Sequence, residues 1–321
     1  MASLKNSVSV VIPNYNGENI IVQTINSAFE ALKSSNLSDY EIIVSDDAST
    51  DQSIIKIKET FKEVIIVHSL KNTGFSGNVN RGVNKASKEL VLILNSDLHL
   101  EKGYFNSLIA IFDNDAVFGV MGCIKDPRTL EIQDGSKIPI LKFNLFISSN
   151  KNKFSNSTIL PTFFLSGANA LVRRDYFIKL GGFCELFNPY YSEDVDLGIR
   201  AWRMGWELYF QPTAVCYHDV SSTIKKIPKE QVLVTAKRNK YILHSLHLSR
   251  HLIFVYDLSL IFTSLFRMIK GDLVYIRAIK SYFGLKKEIS KERLRFFELW
   301  DKRKKLNLNQ VINKIKSIDR I

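Results

Sequence analysis

The first hundred or so residues alternate short apolar runs with segments in which apolar residues recur every three or four positions. Continuous β-branched and apolar runs predict buried strands, and the spacing of Ile21, Ile25 and Leu32 predicts a helix with one buried face. The predicted strands lie in Ser7–Ile12, Asp39–Ser45, Val64–His68 and Leu90–Leu94, and the predicted helices are Glu18–Ser34, Ser53–Phe61 and Val79–Ala86. This alternation predicts an α/β fold with a doubly wound, mostly parallel sheet.

The pattern after residue 100 is less regular. It predicts helices at Gly103–Phe112, Arg173–Leu180 and from about Glu193, strands at Val117–Cys123 and Tyr209–Cys216, and an irregular polar segment at Lys125–Asn156. That segment is either a mobile loop over a cleft or a variable excursion. We therefore predict one domain over residues 1–224, with a regular half of about 1–100 and a less regular half of about 101–224. Residues 225–321 form a helical extension.

A polar tripeptide, Asn95-Ser96-Asp97, directly follows the predicted strand Leu90–Leu94. Ligands of open α/β sheets bind beyond the carboxyl ends of the strands. A carboxylate there, with an amide two residues earlier, can hold Mg²⁺ or Mn²⁺, which prefer oxygen ligands and keep positions open for substrate phosphates. The same residue types form ordinary turns, so a polar turn that closes a core strand is the alternative.

The residues that follow the first two predicted strands are of types that can bind a nucleotide. Asp46 and Asp47 follow the second strand, where an acidic side chain can accept hydrogen bonds from a ribose or a base. Tyr15 follows the first strand and could stack on a planar ring or cover the core. No GxGxxG motif follows that strand, which argues against NAD or FAD and favours a mononucleotide. The loop 72–78 contains two glycines, which allow backbone to approach a ligand closely.

Three carboxylates, Glu193, Asp194 and Asp196, crowd the predicted start of a helix. The helix dipole and the free N–H groups favour acidic residues there, which accounts for one or two of them. A carboxylate just inside a helix start, facing a cleft, can act as general base for a hydroxyl nucleophile. Arg200 and Arg203, one turn further on, could orient these carboxylates through charge-assisted hydrogen bonds.

Two further positions are candidates for ligand contact. Gly167 and Ala168 interrupt an apolar run and would let a bulky ligand lie against the backbone, although tight helix–strand packing explains them equally well. His218 follows the predicted strand Tyr209–Cys216 and is either structural or a contact to phosphate or metal.

The composition indicates the cellular compartment of the protein and shows that its charge is unevenly distributed along the chain. The chain has 321 residues, 45% of them hydrophobic, and three widely spaced cysteines that fit neither a zinc site nor a disulfide framework, so a reducing cytoplasm is expected. From Lys225 onward there are 23 Lys and Arg against 8 Asp and Glu, whereas the remainder carries a net charge of −3. A near-neutral body with a basic extension predicts that the extension meets something anionic.

Seven motifs, in the order in which they occur, resemble those of glycosyltransferase family 2, and most of all its bacterial rhamnosyltransferase-like members. The motifs are PNYNG, DDASTD, NTGFSGNVNRG, LNSD, SGANALVRRD, GGF and YYSEDVDLGIRAWRMG. The resemblance covers roughly Val8–Ser222, and it implies that residues 1–224 are a catalytic domain with a nucleotide-sugar-binding half of about 1–100 and an acceptor half of about 101–224. It implies a GT-A fold and the transfer of a sugar from a nucleoside diphosphate donor, with inversion at the anomeric carbon.

The resemblance also implies a role for each matching position. Asp97 would hold the Mg²⁺ or Mn²⁺ ion in a motif that the family writes Asp-x-Asp, with Asn95 in place of the first Asp. His218 would lie near the diphosphate and the metal, and Asp194 would be the catalytic base with Glu193 beside it. The residues expected around the nucleotide sugar are Pro13, Tyr15, Asp46, Asp47 (against the base), Asn72, Gly74, Phe75, Asn95 and Ser96, and those around the acceptor are Gly167, Ala168 and Tyr191.

The basic extension contains a nearly continuous apolar stretch, Leu252–Phe266, with Arg250, Arg267 and Lys270 beside it. Fifteen residues are short for a membrane span, which needs about 20. The pattern predicts attachment to an anionic membrane surface, and packing on the catalytic domain or on a partner subunit is the alternative. A nucleic-acid partner is not expected, because no recognition motif accompanies the charge.

The sequence therefore predicts an inverting, metal-dependent glycosyltransferase. Its donor would be a dTDP, UDP or GDP sugar, and its acceptor would be a glycan or a lipid-linked glycan. It would work on the cytoplasmic face of the cell membrane, in the synthesis of a bacterial cell-surface polysaccharide. A non-catalytic sugar-nucleotide-binding or membrane-scaffolding relative is the alternative. A sugar-phosphate nucleotidyltransferase is disfavoured because PNYNGEN lacks a Gly-rich triphosphate loop. A homo-oligomer stays open.

Overall fold

The computed structural model describes residues 7–142, 145–150, 158–218, 228–301 and 306–318. Its strands are β1 Ser7–Asn14, β2 Asp39–Asp46, β3 Ile65–His68, β4 Leu90–Leu94, β5 Leu98–Leu100, β6 Val117–Lys125, β7 Ile132–Asp134, β8 Lys137–Lys142, β9 Leu145–Asn150, β10 Leu160–Pro161, β11 Asn169–Arg173 and β12 Glu207–His218. Its α-helices are α1 Ile21–Ser34, α2 Ser53–Thr60, α3 Gly74–Lys85, α4 Arg174–Lys179, α5 Glu193–Arg203, α6 Lys229–His247, α7 Arg250–Ile269, α8 Leu273–Gly284, α9 Lys286–Asp301 and α10 Leu308–Ile318.

The central sheet has the strand order β10-β12-β6-β11-β4-β1-β2-β3, with β5 added to β12 and β7 added to β6. Strands β3, β2, β1 and β4 are parallel to one another, and β6 is parallel to β12, whereas β11 runs antiparallel between β4 and β6. This arrangement confirms the predicted mostly parallel, doubly wound sheet. Every residue of β4 is buried, as its continuous apolar run predicts for a strand covered on both faces.

Helices cover both faces of the sheet because successive strand residues point to opposite sides. On one face Val10 and Ile42 pack with α1 and α2. On the other face Val11 and Ile43 pack with α3, α5 and the C-terminal helices. The carboxyl ends of β1, β2 and β4 therefore open at one edge between these two layers.

Three local predictions were wrong. The segment predicted as a helix at Gly103–Phe112 consists of tight turns followed by a short 3₁₀ helix, Ile109–Asp113. The side chains of Tyr104, Phe105 and Phe112 in this segment are nevertheless buried. The polar segment Lys125–Asn156 contains β7 and the β8–β9 hairpin; residues 151–157 lie outside the described chain. The loop predicted at 72–78 is mostly the first part of α3, which begins at Gly74.

The C-terminal extension is helical, as predicted, and it packs on the catalytic part. Tyr241 and Tyr282 belong to the same buried cluster as Val11 and Trp202. The predicted boundary at residue 224 lies outside the described residues. Helix α7 is 20 residues long, longer than the apolar stretch that predicted it, and among the described residues it is the one helix whose length and composition would suffice to cross a membrane.

Candidate active site

The polar turn after β4 faces His218 at the end of β12. The antiparallel pairing of β5 with β12 sets His218 opposite Leu98 and places its Nε2 3.3 Å from Asp97 Oδ2. The other ring nitrogen, Nδ1, lies 2.8 Å from Gln133 Oε1. A glutamine carbonyl accepts a hydrogen bond, so it selects the tautomer with the proton on Nδ1. In neutral His218, a lone pair on Nε2 then faces the Asp97 carboxylate.

Two electron-pair donors that face each other fit a cation between them. Asp97 and His218 supply a carboxylate oxygen and an imidazole nitrogen, which suit Mn²⁺, and Gln133 orients the ring as such partners do in metal sites. Buried Asn95 Oδ1 has no hydrogen-bond partner among the described residues. The described residues contain no cluster of three His, Cys, Asp or Glu side chains that could enclose a metal on their own. A metal held here would need ligands from the substrate as well.

Asp46 and Asp47, which end and follow β2, both form hydrogen bonds inside the protein. Asp46 is completely buried, and its carboxylate accepts hydrogen bonds from Asn14 and Ser49 and pairs with His68. The expected contact between Asp46 and a nucleotide stays a prediction, although these partners enclose the side chain and keep it from the surface. Asp46 instead fixes the exits of β1, β2 and β3 relative to one another.

Asp47 caps helix α3. Its carboxylate accepts hydrogen bonds from the backbone N–H groups of Thr73 and Gly74, at 2.9 Å each, and from Arg81 at 3.0 Å. A carboxylate at a helix N-terminus satisfies free N–H groups and the dipole. The side chain is 2% exposed, so a base contact by Asp47, as the sequence predicts, competes with this cap.

The other residues predicted around a nucleotide lie at the open edge of the sheet. Pro13 is buried in β1, whereas Tyr15 is 44% exposed at the strand's exit and Asn72 is exposed before α3. The Asn16 side chain accepts from Thr50 N–H at 2.8 Å, which ties the β1 exit to the β2 exit. The exposed ring of Tyr15 thus does not cover the core, which was the alternative to stacking on a ligand.

The N-terminus of α3 meets the segment that precedes α5. Gly74 has φ +73°, and a Cβ there would lie 2.7 Å from the Asn188 side chain. Asn188 accepts from Ser76 N–H, and Phe75 N–H donates to the Pro189 carbonyl. A residue with a side chain at position 74 would therefore disturb both the backbone conformation and this junction.

Small residues join the two sides of the cleft, as the run 166–168 suggests. A Cβ on Gly167 would lie 3.3 Å from the Phe75 ring and 3.8 Å from Asp194 Cβ. The next residue, Ala168, accepts a hydrogen bond from Asn95 N–H at 2.9 Å. The structure thereby brings the β4 turn, the α3 start and the α5 start together at the open edge of the sheet, and the term cleft denotes this junction.

Asp194 lies in the first turn of α5 and is partly buried. Burial raises its pKa to about 6, although the charge of Lys137 acts in the opposite direction. Lys137 is 3% exposed, pairs with Asp134 at 2.6 Å and lies over the Phe164 ring. A carboxylate with this pKa is ionised at neutral pH and basic enough to accept a proton from an attacking hydroxyl.

Glu193 lies beside Asp194 but in a different environment. It is 7% exposed, and burial followed by the charge of Asp194 raises its pKa well above the ordinary value. Its Oε2 has no hydrogen-bond partner among the described residues. The raised pKa disfavours the ionised form of Glu193, which argues against a role as a second base.

Asp196 points away from the cleft. Its carboxylate pairs with Arg200 at 2.6 Å and with His247 of α6 at 2.8 Å, and all three side chains are fully buried. Burial would raise the pKa of Asp196, but Arg200 and His247 keep it below its ordinary value. Arg200 therefore orients Asp196, which is one of the three carboxylates for which the sequence suggests this role.

The C-terminal extension supports the aromatic segment before α5. Asn239 of α6 donates to the backbone carbonyls of Tyr190 and Tyr191 at 2.8 and 2.9 Å. Tyr191 has φ +77° and is 38% exposed at the cleft. Sequence reasoning missed Asn239, Lys137 and Gln133. Each lies far along the chain from the site residue that it affects. Lys137 and Gln133 do lie in the polar segment Lys125–Asn156, which the sequence suggests as a possible cover of a cleft, whereas nothing in the sequence points to Asn239.

The sheet and its covering helices form a GT-A fold. Residues 9–181 match the family described as "Glycosyl transferase family 2". Because the match spans more than half of the chain, the chain belongs to glycosyltransferase family 2.

Similar proteins include two rhamnosyltransferases. The N-acetylglucosaminyl-diphospho-decaprenol L-rhamnosyltransferase of Mycobacterium tuberculosis is 25% identical over 57% of this chain and 67% of its own length. The O-antigen chain rhamnosyltransferase WbaN of Salmonella anatum is 26% identical over 68% of this chain and 67% of its own length. The chain thus matches about two thirds of these relatives.

Solved structures share the fold at lower identity. GalNAc-T7 with UDP, GalNAc and Mn²⁺ matches with a TM-score of 0.60 and 17% identity, over 78% of this chain and 49% of that one. The mannosyltransferase PcManGT of Pyrobaculum calidifontis, in complex with GDP-Man and Mn²⁺, matches with a TM-score of 0.54 and 19% identity, over 74% and 63%.

Proposed function

We propose that this family 2 enzyme transfers a sugar, with rhamnose as the first candidate, from a nucleoside diphosphate donor to a hydroxyl of a glycan or lipid-linked glycan, with inversion. The pathway would be the synthesis of a bacterial cell-surface polysaccharide. The two rhamnosyltransferases among the similar proteins support this choice of sugar and acceptor class. The observation that carries the proposal is the position of Asp194, which adjoins Gly167 and Phe75 in the cleft with a pKa of about 6.

The donor would lie along the open edge of the sheet. Tyr15 offers an exposed ring for stacking against the base. The diphosphate would reach Asp97 and His218, which would hold Mg²⁺ or Mn²⁺ together with phosphate oxygens. When bound, such an ion neutralises the charge that develops on the leaving diphosphate.

Asp194 would act on the acceptor side. The carboxylate would accept the proton of the attacking hydroxyl as the new glycosidic bond forms and the bond to the diphosphate breaks. Inversion requires one displacement, with the base and the leaving group on opposite faces of the sugar. Gly167 leaves room for the sugar between Asp194 and the β4 turn, and Tyr191 offers an exposed ring beside the acceptor.

The first experiment measures donor binding and transfer separately. A thermal-shift panel of dTDP-, UDP- and GDP-sugars with Mn²⁺, Mg²⁺ or EDTA identifies the donor, because a ligand of the folded state raises the melting temperature. Transfer is measured as nucleoside diphosphate release with lipid-linked glycans as acceptors. We expect Asp97→Ala to abolish the metal-dependent shift. Asp194→Asn should keep the shift and lose at least about a thousandfold in transfer rate.

Asp113→Asn, an exposed change outside the cleft, is the control and should keep both properties. Unchanged transfer in Asp194→Asn would refute the assigned base. Absence of a shift with every donor would favour the membrane-scaffolding relative, because a relative that binds sugar nucleotides would still show a shift.

A further inference from the structure

The apolar face of α7 has no cover among the described residues. Only Tyr256 and Leu260 of this helix are buried. Large apolar side chains with exposed fractions between 52% and 85% line its outer side: Phe254, Ile269, Phe262, Leu265, Phe266 and Met268. A contiguous apolar surface of this kind marks a site for a protein or a membrane.

The opposite side of α7 is fixed to the protein. Asp257 pairs with Lys286 at 2.6 Å and accepts from the Tyr282 hydroxyl, while Tyr256 lies 3.1 Å from His244. These contacts neutralise the one acidic residue of the helix and hold it along α8 and α6. A helix held in this way presents one side to a surface, as helices that lie in the plane of a membrane do.

A groove of about 950 Å³ opens beside the first turns of α7. Leu252, Ile253 and Phe297 contribute apolar walls, and Arg250 and Arg293 lie among the lining residues. Burial, and then the charge of Arg250, lowers the pKa of Arg293. The two cations are thus close enough to repel each other, and an anion in the groove would relieve that repulsion.

We propose that α7 lies in the plane of an anionic membrane, with the phosphate headgroup of a lipid in this groove and its acyl chains along the exposed face. Charge complementarity selects this occupant: Arg250 stands at the start of the helix, Arg267 and Lys270 stand at its end, and the apolar face lies between them. The inference concerns attachment, and it does not depend on the proposed glycosyl transfer.

The test is co-sedimentation of the full chain with two kinds of vesicle. One kind contains phosphatidylcholine alone, and the other contains phosphatidylcholine with about 30% phosphatidylglycerol, which makes its surface anionic. We expect binding only to the anionic vesicles, weakening as salt is raised. An alkaline carbonate wash should release the protein. Retention after that wash would show a spanning helix and overturn the in-plane arrangement. Binding equal on both vesicle types would overturn the headgroup site.

Variants separate the two parts of the proposal. Phe262→Ser/Phe266→Ser should lower vesicle binding at least about tenfold, whereas Leu70→Ser, a change at a residue that is 96% exposed, should not. Arg250→Gln in the groove should lower binding about fivefold, more than Lys270→Gln outside it. Equal losses for the two basic residues would mean diffuse attraction without a headgroup site.

Two further outcomes would give the face another occupant. A dimer in solution that Phe262→Ser/Phe266→Ser dissociates, without vesicle binding by the parent chain, would assign the face to a second copy. Release from vesicles by millimolar inorganic phosphate at constant ionic strength would assign the groove to free phosphate. Either result would overturn the lipid proposal.

Discussion

Asp194 and Asp196 lie two residues apart on α5 and have opposite environments. Residues at i and i+2 face different sides of a helix, so Asp194 meets the cleft while Asp196 meets Arg200 and His247 in the core. Burial dominates for Asp194 and raises its pKa to about 6. The charge of Arg200 and the hydrogen bonds from Arg200 and His247 outweigh burial for Asp196 and lower its pKa. The same residue type therefore serves as a candidate base at one position and as a core anchor at the other.

At the residue scale, Lys137 sets the pH dependence. Its positive charge lowers the pKa of Asp194, so Lys137→Met should raise that pKa. The base must be ionised to work, so activity falls as pH drops through its pKa. The variant should therefore lose activity at a higher pH than the parent chain. The measurement is the pH profile of kcat/KM; Lys125→Met is the control, and an unmoved acidic limb would contradict the assignment.

Glu193 should make stability depend on pH. Its folded-state pKa is raised, so the folded protein binds more protons than the unfolded chain above the ordinary glutamate pKa. Stability is then lost as pH rises. Glu193→Gln removes this penalty, so the free energy of unfolding of the variant should rise relative to that of the parent chain as pH rises above the ordinary glutamate pKa, by up to about 1.4 kcal/mol per pH unit. Thermal unfolding at a series of pH values measures this difference.

The control for that series is Glu59→Gln, which changes an exposed residue of α2. Its difference from the parent chain should stay constant across the same pH range. A constant difference for Glu193→Gln as well would mean that the Glu193 carboxyl is solvated in solution.

At the scale of elements, α6 positions the loop before α5. Asn239 donates to the carbonyls of Tyr190 and Tyr191, which a loop with Tyr191 in the left-handed region needs in order to keep its shape. Asn239→Ala leaves these carbonyls unpaired and should cost about 1–3 kcal/mol of stability. We expect a higher KM for the acceptor with an unchanged donor-induced thermal shift.

Lys240→Ala, on the exposed side of the same helix, is the matched control and should leave both values unchanged. An equal loss of donor and acceptor binding in Asn239→Ala would instead indicate general unfolding of the cleft.

At the scale of the whole molecule, the extension and the catalytic part share one core. Trp202 of α5, Tyr241 of α6 and Phe296 of α9 belong to one buried cluster, and His247 closes the buried pair of Asp196. A chain that ends at residue 218 would expose this surface and leave Asp196 and Arg200 without His247. We expect it to lose cooperative unfolding, measured by near-ultraviolet circular dichroism during heating.

A protease site inserted among residues 219–227 provides the comparison. Cleavage there breaks the chain but keeps both parts of the core, so the two pieces should stay together and unfold in one transition. A cooperative transition in the truncated chain would show that the first 218 residues fold alone.

The sequence by itself determined the central layers of this protein. Apolar runs and helical spacing are local properties, so β1, β2, β4 and the helices between them could be predicted, and strand exits such as Asn95-Ser96-Asp97 follow from where those runs stop. The motif order also predicted the family. The predicted roles of Asp97, Asp194 and the other site residues stay predictions until donor binding and transfer are measured.

Only the tertiary structure decided which polar side chains meet. Asp46 and Asp196 carry the same signal in the sequence as Asp97 and Asp194, yet packing turns the first two inward and leaves the others at the cleft. The partners that decide this, Gln133 and His247, lie 85 and 51 residues away from the side chains they contact. Contacts over such separations depend on how strands and helices are stacked, and no local pattern of residues encodes them.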